Sequence, residues 1–126
     1  MKLSSQIPKR LPNSISIGDS GKGKTWFIGS IIKAGYKPYI IDSEGGLITI
    51  GNVGEFAYET VNTFADFEKE VKWYFANYEK HGFTHLVVDS ISRLQSYLLH
   101  ERVKDDKPSF DDWAFVLGKL RKVIDV

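Results

Sequence analysis

The clearest chemistry in the chain sits in one run, Gly18-Asp19-Ser20-Gly21-Lys22-Gly23-Lys24-Thr25, spaced as G-x-x-x-x-G-K-T. Glycines at 18, 21 and 23 let the backbone turn tightly and aim successive N–H groups at one anion. A helix starting at the end of the run adds the positive end of its dipole. Lys24 can then reach the β- and γ-phosphates of a nucleotide as a point charge, and the Thr25 hydroxyl can ligate Mg²⁺. Asp19 and Ser20 complete the cradle. Lys22, at the variable position before Gly23, reads as a solvated lysine beside the phosphates.

Two acidic positions could complete such a site. Asp89 ends the apolar run Leu86-Val87-Val88, and a strand-ending carboxylate can hold Mg²⁺ from the side opposite Thr25. Asp42-Ser43-Glu44-Gly45-Gly46 follows the apolar Tyr39-Ile40-Ile41. In an open α/β sheet ligands collect beyond the carboxyl ends of the strands, where a carboxylate can activate water. Acids beside paired glycines are equally at home in turns, so spacing alone leaves both readings of this segment open. His81, His85 and His100 show no ligand constellation, because Gly82 interrupts the helix that would align the first two.

These groups need elements to position them. Ser14–Ile17 alternates polar and β-branched residues as a short strand would, and Thr25–Ala34 has the apolar spacing of a helix (Phe27, Ile28, Ile31, Ile32) closed by Gly35. Lys37–Asp42 and Glu55–Val61 read as further strands, with 47–54 a loop between them. Thr63 caps a long helix whose apolar face is Phe64, Phe67, Val71, Tyr74, Phe75 and Tyr78, and Gly82 stops it. That aromatic stripe is core packing rather than a stacking platform for bases. Thr84–Asp89, rich in buried β-branched residues, suits a central parallel strand. A helix over Ser90–Lys104 is followed by a polar break at 105–108. A last helix starts at Ser109 or Asp111 and carries Trp113, Val116, Leu117, Leu120 and Ile124. The expected fold is α/β, a mostly parallel sheet with flanking helices over 14–126, preceded by an extended lead-in at 1–13.

Composition bounds the rest. The chain has 126 residues, 42% of them hydrophobic, with eight Phe, six Tyr and three Trp, which is enough for one core. A net charge of +1 provides no overall drive towards nucleic acid. The absence of cysteine excludes disulfides and thiolate metal sites and fits the cytoplasm. Met1–Gln6 has no apolar run, so neither a signal peptide nor a membrane span is expected.

Taken in order, Gly18–Thr25, Asp42-Ser43-Glu44 and Leu86-Val87-Val88-Asp89-Ser90 resemble the RecA-like branch of P-loop ATPases. In that branch the strand after the P-loop helix ends in hydrophobic-Asp-x-Glu, whose Glu activates the attacking water, and the magnesium strand commonly ends Asp-Ser. The resemblance favours Glu44 as the catalytic base, with Lys24 on the phosphates and Thr25 and Asp89 as metal ligands. The pattern is similar, more closely, to the small phage nucleotide-binding proteins linked to single-strand annealing and recombination. Shared features are the basic lead-in Pro8-Lys9-Arg10, the acidic double-glycine turn at 42–46 and Asp112-Trp113 opening a late helix. The resemblance covers roughly residues 8–126.

It implies ATP and Mg²⁺ as cofactors and single-stranded DNA and recombination proteins as partners. It also implies a homo-oligomeric assembly and, for a phage protein, the host cytoplasm. One departure stands out: the family continues into a sensor strand that would follow Val126. A C-terminal truncation is therefore expected, with hydrolysis belonging to a longer parent. Two other readings share the loop. A P-loop small-molecule kinase needs an arginine lid, for which the Leu-rich helix after the magnesium strand has Arg93 and Arg102. A non-catalytic nucleotide-binding assembly subunit would need no sensor strand.

Overall fold

Pro38-Tyr39-Ile40-Ile41-Asp42 is apolar towards both sides, as a strand covered on both faces must be. The computed structural model describes residues 1, 3, 23–102 and 110–124, without the side chains of Ile48, Thr49, Phe110, Trp113 and Ile124. Within it, β1 (Pro38–Asp42) is buried along its whole length. It pairs in parallel with β2 (Ala57–Thr60) and with β3 (His85–Asp89), giving the order β2-β1-β3. All three described strands are parallel. Among the described residues β1 is flanked by both other strands, and β3 is half-buried throughout.

Parallel neighbours need crossovers, and these cover the sheet on both faces. Along β1 the side chains alternate with the period of two that a strand imposes. Tyr39 and Ile41 join Phe64, Phe67, Val71, Tyr74, Leu94, Leu98, Val116 and Leu120 in one core cluster. Ile40 faces the other way, onto Ile28, Leu47 and Ile50. The first cluster is roofed by α2 (Phe64–His81), α3 (Ile91–Arg102) and α4 (Phe110–Ile124), the second by α1 (Lys24–Lys33). The chain is thus an α/β layer structure with helices on both faces of a parallel sheet.

Two local expectations change. The segment after the acidic turn contains a 3-10 helix, Gly46–Ile50, rather than a plain loop. Burial of Leu47 and Ile50 against α1 holds it, a tertiary contact that no local pattern announces. The apolar faces are also narrower than their composition suggests. Phe27 is 54% exposed on α1, Phe75 46% on α2 and Leu117 55% on α4. Each lies about 100° around the helix from a buried neighbour (Ile28, Tyr74, Val116), so it turns off the core face.

The ends of α2 follow the sequence closely. Thr63 caps it, its side chain accepting from the Asp66 amide at 3.1 Å. Gly82 closes it in the left-handed region at φ 72°, with the Phe83 amide donating to the Tyr78 carbonyl at 3.0 Å. Phe64, Phe67, Val71 and Tyr74 are core residues, as the stripe implied. The lead-in (residues 2 and 4–13), the strand expected over 14–17, loop residues Gly18–Lys22, the polar break at 105–108 and the helix start at Ser109 lie outside the described residues. No described helix is long and apolar enough to cross a membrane.

Candidate functional site

All three strands end at one level. Asp42 is the register partner of Thr60 on one side and of Asp89 on the other. Just beyond, the Ser43 amide donates to the Asp89 carbonyl at 2.8 Å and the Val61 amide to the Asp42 carbonyl at 2.9 Å. The crevice outside the carboxyl ends of a parallel sheet is where ligands of such folds bind. Here it collects Asp42, Glu44 and Asp89 from the strand ends and Lys24 and Thr25 from the start of α1.

The loop's last residues show why glycine is needed at 23. Gly23 precedes α1 with φ 91°, a conformation costly to any residue with a Cβ, and its carbonyl accepts the Phe27 amide at 3.1 Å. That turn places Lys24 and Thr25 in the first turn of α1, where the unpaired amides and the positive dipole end lie. The Thr25 side chain lies close enough to the Asp89 carboxyl to favour its charged form. Two sequence segments 64 residues apart, 25 and 89, therefore meet at one carboxylate.

Asp89 is also where the site's electrostatics converge. Burial pushes its carboxyl up from the ordinary 3.8, and the negative charges of Glu44 and Asp42 push the same way. Lys24 and the Thr25 side chain act against that rise without cancelling it. In the folded protein Asp89 thus holds its proton more tightly than in the unfolded chain. Its charge costs stability as pH rises from the ordinary carboxylate value through the raised one, and the cost persists above. A cation beside it would relieve that cost.

The two acids of the turn are used differently. Asp42 is 3% exposed, and its Oδ1 accepts the amides of Glu44 (3.1 Å) and Gly45 (2.9 Å), so it shapes the turn. Glu44 is exposed, and its Oε1 accepts a 2.6 Å hydrogen bond from the Ser90 hydroxyl. Sequence reasoning singled out Glu44 but not the polar frame around it. The Ser43 hydroxyl is shared between the carbonyls of Asp89 (3.2 Å) and Ser90 (3.1 Å) and accepts the Ser90 amide at 2.9 Å. The Tyr97 hydroxyl donates to the Ser43 carbonyl at 3.2 Å. Ser43 and Ser90 stood beside the quoted acids, which was a usable signal. Tyr97, two turns into α3, had none. The peptide between Asp89 and Ser90 is cis.

A separate open groove of about 360 Å³ runs between α2, α3 and α4, lined by Phe64, Leu98, Arg102 and Phe115 among others. None of its lining residues belongs to the strand-end site.

A family model described as AAA domain matches residues 13–126. That span takes in the glycine loop, both acidic strand ends and every described element. The chain belongs to the AAA-domain family. Comparison with curated proteins and with solved structures gives no match. As an AAA domain the chain has the P-loop NTPase type of fold, and its family character is that of a nucleotide-binding ATPase.

In this AAA domain, Asp89→Asn should separate binding from stability. The amide keeps the shape but removes a charge crowded by Glu44 and Asp42. The nucleotide-free, metal-free protein should therefore melt slightly higher, by at most about 0.5 kcal/mol or roughly 1–3 °C for a half-exposed charge. The Mg²⁺-dependent part of nucleotide binding should weaken, since the amide cannot supply the carboxylate's charge. Calorimetry and a magnesium titration check the two halves. A parental magnesium dependence would remove Asp89 from the site.

Proposed function

We propose that this domain binds ATP with Mg²⁺ and hydrolyses it in the RecA-like manner, in the service of phage DNA recombination or single-strand annealing. The observation supporting the ATPase part is the convergence of Lys24, Thr25 and Glu44 on the Asp89 carboxyl at the carboxyl ends of the paired strands. It joins the end of a phosphate-loop sequence to the end of an apolar parallel strand, with Glu44 close enough to raise the same carboxyl.

The residues present suit the metal. The donors are a hydroxyl and carboxylates, the all-oxygen chemistry Mg²⁺ prefers. No group of three or more His, Asp or Glu among the described residues forms a metal cage. Mg²⁺ asks for none, since one or two protein oxygens and the substrate phosphates suffice. Thr25 and Asp89 would hold it, and when bound it would neutralise charge on the phosphate oxygens.

The chain's own groups do the rest. Lys24 and the amides of Gly18, Asp19, Ser20, Gly21, Lys22 and Gly23 hold the β- and γ-phosphates. Glu44 takes the proton of the attacking water as the water oxygen bonds to the γ-phosphorus. The bond from that phosphorus to the bridging oxygen breaks, and ADP leaves with the electron pair. The protein's work is positioning and charge stabilisation. In this reading the domain spans 14–126 after a lead-in at 1–13, works in the host cytoplasm as a homo-oligomer, and meets single-stranded DNA and recombination proteins.

The small-molecule kinase reading loses support from Arg102, which forms a 2.8 Å ion pair with Asp112 and lies 4.4 Å from the Phe115 ring centre. The deciding measurement is ATP hydrolysis by the full-length protein with and without single-stranded DNA. Turnover stimulated several-fold is the expected result. Phosphate transfer to a metabolite would replace the proposal with a kinase, and tight binding without turnover would replace it with an assembly subunit.

A further inference from the structure

We propose that Ser90 is a positioning residue for Glu44, holding one carboxylate oxygen so that the other is presented to water. This rests on the reading of Glu44 as the base. The Ser90 hydroxyl donates to Glu44 Oε1 at 2.6 Å, within the short range of charge-assisted O–H···O⁻ bonds. A carboxylate has lone pairs on both oxygens, so occupation of Oε1 leaves Oε2 free to accept a proton. Glu44 is otherwise an exposed side chain with many rotamers, and an unheld base would sample positions far from any one water.

The hydroxyl can do this because Ser90 is itself fixed. Its amide donates to Ser43 Oγ at 2.9 Å and its carbonyl accepts from the same oxygen at 3.1 Å. Ser43 is in turn held through its carbonyl by Tyr97, at 3.2 Å. The backbone of Glu44 is anchored separately, its amide donating to buried Asp42 at 3.1 Å. Both ends of the Ser90–Glu44 bond are thus tied to the paired ends of β1 and β3. Because Ser90 directly follows Asp89, the same frame sets the base relative to the carboxylate that meets Thr25. The Ser90 hydroxyl also accepts the Arg93 amide at 3.4 Å, as an N-cap of α3 would.

The test is a double-substitution cycle in the full-length protein, reading kcat, nucleotide Kd and the denaturation midpoint. Ser90→Ala should lower kcat by roughly 10- to 100-fold, as misplacing a catalytic group by about an ångström does, with Kd within about twofold. Ser90→Thr, which keeps the hydroxyl, should restore kcat to within about threefold. In a Glu44→Gln background Ser90→Ala should change turnover by less than about twofold, because the group it positions no longer works. Without nucleotide, the unfolding midpoints of Ser90→Ala and Glu44→Ala should be non-additive. Should loss of the cap unfold Ser90→Ala, Ser90→Gly removes the hydroxyl while glycine remains an accepted N-cap residue.

Equal losses from Ser90→Ala in both backgrounds, or unchanged or faster turnover in the parent background, overturn the proposal. If Glu44→Gln alone leaves turnover intact, the base assignment fails and this inference with it. A slow Glu44→Gln beside a full-speed Ser90→Ala overturns the positioning role alone.

Discussion

Glu44→Gln is expected to leave nucleotide bound and to slow hydrolysis by roughly 10²–10⁴-fold, the range for loss of a general base. Glutamine keeps the size of the side chain and, through its carbonyl, can still accept the Ser90 hydroxyl. It cannot accept the proton of water. Removing one negative charge from beside Asp89 also relieves one of the two carboxylates that raise it, so nucleotide and metal should bind no more weakly than in the parent. Single-turnover hydrolysis and a binding isotherm on the same protein separate the two effects. Retained binding with intact hydrolysis would return Glu44 to the role of a turn residue and leave the phosphate loop untouched.

Lys24→Ala should abolish measurable nucleotide binding or turnover. A hydrogen bond from a charged donor is worth about 1.5–3 kcal/mol, or ten- to a hundredfold in affinity. In this site the lysine has a second duty. It is the positive charge that opposes the rise of the Asp89 carboxyl, so its loss leaves Asp42, Glu44 and Asp89 crowded with less to offset them. Phosphates would then meet a more negative crevice as well as a missing cation. The effect on affinity should therefore exceed that of a single lost hydrogen bond. Nucleotide binding at parental strength in Lys24→Ala would remove the loop from the site.

Much of this architecture was legible in the sequence because the deciding physics is local. The helix over Phe64–His81 announces itself through Thr63, the spacing of Phe64, Phe67, Val71 and Tyr74, and the stop at Gly82, and both caps form the expected bonds. The three described strands fall within a residue or two of their apolar runs, the usual uncertainty of element ends. Lys24, Thr25 and Asp89 could be named together because loop spacing and a strand-ending acid are one-dimensional signals, whereas Glu44 was singled out only through the family resemblance.

Other features needed the third dimension. The order β2-β1-β3 of the described strands depends on the crossover of α2 past β1. The 3-10 helix at Gly46–Ile50 exists because Leu47 and Ile50 find Ile28 and Ile40 across the layer. Phe75 and Leu117 are exposed because a helix buries only the stripe that meets a neighbour, and the neighbour's position is not written in the helix. The different tasks of Asp42 and Glu44, two residues apart in one acidic turn, came from burial of the first and exposure of the second. By itself the sequence determined the chemical inventory and the elements that carry it, since backbone propensity and periodicity act over a few residues. The tertiary structure alone decided that the Ser43–Ser90–Tyr97 frame closes around Glu44. Hydrogen bonds between residues 46 to 54 positions apart form only when parallel strands bring their ends into register.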